Sequence, residues 1–471
     1  MSEESAKNKL ILHLLAITVL VLGTYFTALN AGFLAMDDVS TMRAIQSGNF
    51  SLGALLFSPG HDYYRPLTIL SFFADFLLFG ANPAGFHLTN ILLHLANSLL
   101  VYTLAKALLE RERNAGSVPL LTALLFAVHP INSEAVIWIS GRTDLLCCFF
   151  ALICLIILRT GSGKMSPLVF LGLFLSCLCS LASKESSLFL PLLAVVYYIL
   201  QRKNIPFKNA LAGCGALFLA VVVYLLLRNG LPVAPVPATS TTVHPGNHLA
   251  LFFVDGAAAL GFYLRKLFYP FPLSIAITEI PRNFCLLILL LGSSIAAIVW
   301  KKVSVLRFPL AFLATSLIPP LGALILALAW TPYAERYLYI PSVAFALCVG
   351  IGIRFYLEKF PKLIVTGCIA LLAIPTAYRV NLWTKPIPFW QDAVAKSPFF
   401  GTVRLPLVAA YLEEGRNAEA EKELRQADQL GLPRKSARDF SHELWRLIDS
   451  RKPLDHPTGY FQIPQSSMTE R

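Results

Sequence analysis

The sequence predicts an all-α, polytopic membrane protein with about eleven transmembrane helices, several helices on the outer surface and a small helical domain at the C-terminus. Three observations lead there. Of 471 residues, 56% are hydrophobic and 14% charged, with a mean hydropathy of +0.64, outside the range of soluble globular domains. Apolar runs long enough to cross about 30 Å of hydrocarbon recur along the chain. Lys and Arg gather in alternate gaps between those runs, as cytoplasmic loops do.

The first run, Leu10 to Ala31, is too long for a signal-peptide core and has no small-residue cleavage site, so it reads as a span. Further spans are expected at Phe86 to Leu109, Val118 to Pro130, Leu145 to Leu158, Pro167 to Ala182, Leu188 to Leu200 and Ala210 to Leu227. Four more follow, at Phe284 to Trp300, Phe308 to Trp330, Tyr337 to Tyr356 and Leu363 to Tyr378. Basic clusters such as Lys106, Arg111 and Arg113, or Lys301, Lys302 and Arg307, then fall on one side with the N-terminus, the cytoplasmic side. Leu67 to Phe79, Asn132 to Ser140 and His248 to Tyr269 read as helices lying at the outer surface. Counting the last as a span would place Lys301, Lys302 and Arg307 outside, against the charge rule.

His87, Asn90, His94 and Asn97 recur at spacings of three and four, which puts them on one helical face. Such a face reads as a helix-packing seam. Only His87, nearest the outer end, is connected to a site.

After Tyr378 the chain turns hydrophilic. Residues 1–380 form the membrane domain, with a first outer loop at 32–85, followed by an extracytoplasmic helical domain at 381–454 and a disordered tail at 455–471. Ser397 to Pro433 has the length and helix-turn-helix pattern of one tetratricopeptide unit, with half of another at Ala437 to Ile448. So short an array is expected to lean on the membrane part, or on a protein partner docked there.

The nine cysteines lie in apolar runs without Cys-x-x-Cys spacing, which excludes a disulfide framework or a zinc site. The net charge of +12 is spread between spans and forms no nucleic-acid-binding patch. No cofactor is expected; a divalent ion held by the oxygens of the acidic pair stays open but is not favoured.

On the outer side the unusual residues converge. Asp37-Asp38 opens the first outer loop and Tyr63-Tyr64-Arg65-Pro66 closes it. His129, Glu134 and Gly141-Arg142-Thr143-Asp144 follow, then Lys184-Glu185 and Glu335-Arg336-Tyr337. Any one of these acids and bases reads equally as a structural ion pair. As a set they suit transfer of a group from a phosphate-linked lipid. A carboxylate takes the proton of an acceptor hydroxyl while cations neutralise the departing phosphate. Arg65, Arg265 and Lys266 are expected at the lipid's entry.

The ordered motifs are Asp-Asp, Tyr-Arg-Pro-Leu-Thr, His-Leu-Thr-Asn-Ile-Leu-Leu-His, His-Pro with Glu134, Gly-Arg-Thr-Asp, Lys-Glu and Glu-Arg-Tyr-Leu-Tyr-Ile-Pro-Ser. From Leu10 to Pro433 the chain thereby resembles the transmembrane and tetratricopeptide repeat containing family. Those proteins are GT-C glycosyltransferases related to protein O-mannosyltransferases. The resemblance implies a GT-C fold, an acidic first-loop motif holding the catalytic base, and a dolichyl- or undecaprenyl-phosphate hexose, mannose by preference, as donor. The base is Asp37 or Asp38, with Asp38 preferred and Asp37 positioning substrate. Arg65, Arg142, Lys184 and Arg336 are the phosphate candidates. Tyr64, His87, His129, Glu134, Asp144, Glu185, Glu335 and Tyr337 are supporting or substrate-binding residues.

The family carries a long repeat array, whereas this chain has one clear unit, which leaves a glycolipid acceptor open beside a protein hydroxyl. The active face is periplasmic in a bacterium and lumenal in the endoplasmic reticulum of a eukaryote. Two rivals are a flippase or transporter of a lipid-linked glycan and a catalytically silent scaffold. The first requires charges near mid-bilayer and matched broken helices, and the second leaves the convergent acids and bases unexplained.

Overall fold

The computed structural model describes residues 3–34, 37–46, 64–110, 116–161, 163–229, 248–325, 331–357, 362–433 and 435–450. The expected disordered tail at 455–471, Tyr63 and the end of the expected span at Trp330 lie outside these residues. The described elements are all helical apart from one isolated bridge between Ile277 and Tyr333.

Helices α1 (Glu3–Tyr25), α2 (Asp37–Gln46), α3 (Pro66–Phe79) and α4 (Pro83–Leu108) form the first part. Pro66 and Pro83 sit in the first helical turn, where a missing N–H costs nothing, and Asn82 caps α4 by accepting from Ala84 N at 3.1 Å. Gly80, at φ +62°, ends α3 in a conformation that L side chains avoid. There follow α5 (Val118–Val128), α6 (Ser133–Ile137), α7 (Arg142–Gly161), α8 (Pro167–Ser183), α9 (Phe189–Leu200), α10 (Phe207–Asn229), α11 (His248–Phe268) and α12 (Arg282–Lys302). Then come α13 (Arg307–Ser316), α14 (Ile318–Ile325), α15 (Tyr339–Leu357) and α16 (Lys362–Trp383). The C-terminal helices are α17 (Pro386–Lys396), α18 (Arg404–Glu413), α19 (Asn417–Leu430) and α20 (Lys435–Ser450).

Among the described residues, seven helical segments are long and apolar enough to cross a membrane, or eight if the bent pair formed by α5 and the residues after it counts as one. Leu168, Leu226, Leu290 and Leu371 turn outward at 63% exposure or more, which water would penalise and a hydrocarbon phase would not. The chain is a multi-pass membrane protein. At the contact of α11 with α12, a side chain on Gly261 would strike the Cys285 carbonyl, so glycine allows that close approach.

Two expected elements differ. The run from Phe308 breaks at Leu317 into α13 and α14. The segment from Asn132 to Ser140, expected on the outer surface, is inside the protein: Asn132, Ser133, Glu134 and Ile137 are buried. It can be there because its polar groups are satisfied internally. Asn132 donates to Phe126 O at 2.8 Å and accepts from Ser342 Oγ at 2.9 Å.

The main apolar core runs from Ile17 and Phe126 through Trp383, Phe389 and Trp390 into Val403 and Leu424. The C-terminal helices therefore share a core with the membrane part. Asp392 accepts from Arg379 at 3.1 Å and from Lys396 at 2.6 Å, and Lys396 also donates to Leu273 O at 2.7 Å.

Candidate active site

Helix α2 starts on the two acids, and successive residues of a helix point about 100° apart. Asp38 turns inward. Its carboxylate is 2% exposed and accepts from Leu34 N at 3.0 Å, Ser140 N at 2.9 Å and Ser140 Oγ. Burial lifts its pKa to about 6, against these hydrogen bonds. Asp37 turns outward and is exposed. The protein packed around it still lifts its carboxyl above the ordinary carboxylate range, while Arg336 and Arg65 pull it back.

Three cations face this region, each holding a carboxylate. Arg65 contacts Glu185 through Nε at 3.2 Å and Nη2 at 2.9 Å, with both side chains about one-fifth exposed. Lys184 donates to both oxygens of Asp144, at 2.6 and 2.7 Å. Arg336 donates from Nη1 to Glu134 at 2.6 Å and from its backbone N to the same carboxylate at 3.1 Å. Its guanidinium lies 4.9 Å from the Trp138 ring and 5.1 Å from that of Tyr337, whose ring also carries Lys184 at 5.3 Å. Lys184 is close enough to Arg65 and Arg336 to feel both charges. Asp37, Arg65, Lys184 and Arg336 thus form one electrostatic cluster on four separate stretches of chain. Beside it a small cleft is lined by Asp144, Ser186, Phe189, Ser316, Tyr337 and Pro341, where the break between α13 and α14 opens the wall.

Other expected site residues serve the fold. Arg142, expected at the donor phosphate, is 0% exposed. It pairs with Asp75 at 2.5 Å and donates to Asn90 Oδ1 and Phe86 O, both at 2.8 Å. With no exposed surface and its three nitrogens engaged inside, it cannot reach a lipid. We expect Arg142→Leu to cost about 3–5 kcal/mol, because Asp75 is left buried without its counter-ion. A fall in the thermal midpoint of the purified protein measures this, and an unchanged midpoint would contradict it.

His129 accepts from Ile131 N at 3.2 Å through Nδ1, so Nε2 carries the hydrogen that reaches Leu267 O at 2.9 Å. It ties α5 to α11 and offers substrate no free nitrogen. Lys266, expected at the lipid entry, is buried and donates to Pro270 O at 3.0 Å, Pro272 O and Glu335 at 2.7 Å. Glu335 also accepts from Ser274 N at 2.9 Å, so it fastens a loop. Tyr64 is buried, with its ring 5.8 Å from that of Tyr224. His87 is buried against the backbone at Ala31, Gly32 and Ile137. Asn90, His94 and Asn97 form the seam: His94 reaches Tyr339 Oη at 2.7 Å and Ala127 O at 2.9 Å, and Asn97 donates to Leu145 O at 3.0 Å.

Sequence reasoning missed Ser140, Trp138 and Asp75. Asp75 had a signal, as a lone acid in an apolar helix. Among the described residues no three His, Cys, Asp or Glu side chains come together as a metal ion would require.

No family model matches the chain. Curated relatives are protein O-mannosyl-transferases. The mouse protein O-mannosyl-transferase TMTC1 is 41% identical over 111 residues, covering 23% of this chain and 11% of that one. Tmtc3 of Drosophila melanogaster is 32% identical over 222 residues, covering 40% and 24%. Human TMTC4 is 43% identical over 103 residues, covering 20% and 14%. In each case the match spans less than a quarter of the relative's length. Among solved structures, ArnT from Cupriavidus metallidurans in the apo state aligns with a TM-score of 0.46 at 14% identity, over 94% of this chain and 77% of that one.

Proposed function

We propose that this chain, which shares stretches with protein O-mannosyl-transferases, is an inverting GT-C glycosyltransferase of about eleven spans that uses a polyprenyl-phosphate hexose, mannose by preference. The observation that carries the reading is the exposed Asp37, near enough to Arg65 and Arg336 to feel both charges, with Lys184 close to the same two cations. The acceptor is a hydroxyl of a protein or a glycolipid, and the site faces the periplasm or the endoplasmic reticulum lumen. The C-terminal helices are a tetratricopeptide-like unit open to a protein partner.

In this mechanism Asp37 is the base, and the preference for Asp38 is reversed. A carboxylate that already accepts three hydrogen bonds in a buried corner is a poor proton acceptor for an incoming hydroxyl. Asp38 instead anchors α2 to Ser140. Asp37 takes the acceptor proton as the hydroxyl oxygen attacks the anomeric carbon and the bond to the phosphate oxygen breaks. Lys184 and Arg336, held by acids behind them and by the Tyr337 ring, stabilise the charge growing on the phosphate. Phosphate leaves without an acid, so one carboxylate suffices where a glycosidase needs two. Arg65 and Glu185, the more exposed pair, have room to re-pair as the phosphate arrives.

The test is consumption of a labelled polyprenyl-phosphate hexose by the purified full-length protein across pH. Asp37 works only when ionised, so activity should be lost as pH falls, with a midpoint above the ordinary carboxylate value of about 4. Asp38 gives the opposite stability effect. Its pKa is raised to about 6 in the fold, so its stabilising contribution is full at acid pH and is lost as pH rises through that value. Protonating Asp38 therefore does not unfold the protein, so the acid limb is not a loss of fold through this residue, and the limb measured in Asp38→Asn, which cannot titrate there, is the one that reports Asp37. A limb at or below pH 4, or no donor consumption, would contradict the assignment.

A further inference from the structure

A second cleft, of about 350 Å³, lies between α11, the extended segment before α12, and Tyr333. That volume is in the range of small-ligand sites. Its side chains are Asp255, Thr278, Glu279, Arg282 and Tyr333, with only Ala258 and Ile280 as aliphatic neighbours. Asp255 and Arg282 pair with each other while staying 44% and 48% exposed, and Glu279 is exposed.

The floor is held firmly. Tyr333 N donates to Ile277 O at 3.4 Å, and the extended segment that carries Ile277 is fastened by Glu335 to Ser274 N at 2.9 Å and by Ser397 Oγ to Ala276 O at 2.7 Å. Arg336 follows Tyr333 by three residues, so the backbone of the cleft wall lies within about 11 Å of the backbone that carries that cation. Two acids against one base make it net negative, which disfavours the lipid phosphate. It also lacks the deep apolar pocket that anchors a peptide side chain. What it does present are forked planar groups: two carboxylates to accept from neighbouring hydroxyls and a guanidinium to donate, with a threonine hydroxyl and a phenol between them.

We propose that this cleft is the acceptor subsite and binds a neutral glycan, free or as a lipid headgroup, so that one sugar hydroxyl extends toward Asp37. The position of that hydroxyl rests on the transferase reading; the binding itself does not. Asp255 and Glu279 each accept from a pair of adjacent hydroxyls, Arg282 donates to a ring or hydroxyl oxygen, and the apolar face of the sugar rests on Ile280 and Tyr333.

Fluorescence anisotropy on the full-length protein tests this with three probes: a labelled mannotriose, the same trisaccharide on a ten-carbon tail, and a Ser/Thr-rich decapeptide. Asp255→Asn and Glu279→Ala alter exposed side chains that the core does not use. We expect the saccharide to bind the wild type and to bind each variant about ten-fold more weakly, with donor consumption into water unchanged. Equal affinity for the two saccharide probes assigns the glycan itself, and preference for the tailed one assigns a lipid headgroup; both support the proposal. Saccharide affinity that neither variant changes, no saccharide binding at all, or a peptide affinity that falls in their place would overturn it. Absence of donor consumption by the wild type would instead count against the transferase reading, and the saccharide titration would still decide the cleft.

Discussion

Asp37→Asn should lower sugar transfer about 10³-fold while the protein inserts and folds as before, because an amide cannot accept the hydroxyl proton and the base carries that much of the rate. Asparagine has the size and shape of aspartate and the position is exposed, so the change leaves the packing in place. Asp38→Asn provides the contrast. An amide keeps one acceptor oxygen for Ser140 but puts an NH₂ where Leu34 N now donates, so α2 loosens and transfer falls without vanishing. Steady-state transfer from a labelled donor, with intact protein verified by gel filtration, measures both. Wild-type rates in Asp37→Asn would remove the base.

Arg336→Ala should lower transfer about 10²-fold or more, the usual cost of deleting one group that stabilises a developing anion. The effect has two parts. The variant loses a cation beside the departing phosphate, and Glu134, buried at 1% exposure, loses the partner it holds at 2.6 Å. Arg336→Lys separates them. Lysine restores the charge but not the planar group stacked between Trp138 and Tyr337, so it should recover protein yield and little of the rate. Full activity in Arg336→Lys would show that only a point charge is needed, and unchanged donor kinetics in Arg336→Ala would remove the residue from the phosphate site.

Most of the membrane helices were legible in the sequence, since apolar length and the alternation of basic loops follow from the bilayer itself. The segment around Asn132 was not. Its composition suits an interface, and only the partners brought by α15 and Arg336 make it an internal element. The cations show the same limit. Arg142 and Arg336 look alike as isolated arginines near helix ends. Both are paired with a distant carboxylate, Arg142 with Asp75 and Arg336 with Glu134; what separates them is that Arg142 is 0% exposed, while Arg336 keeps 7% of its surface and an aromatic frame. The division of labour between Asp37 and Asp38 depends on the rotation of one short helix, which two adjacent identical residues cannot encode by themselves. The seam of Asn90, His94 and Asn97 was legible because a spacing of three and four fixes one face.

The most direct test of single displacement by Asp37 is the anomeric configuration of the product, determined by NMR after the purified protein turns over a polyprenyl-phosphate mannose of known anomer. The mechanism predicts a glycoside of the opposite configuration to the donor, formed by the wild type and not by Asp37→Asn. A product with retained configuration would require a second displacement through a covalent sugar intermediate, and would contradict it.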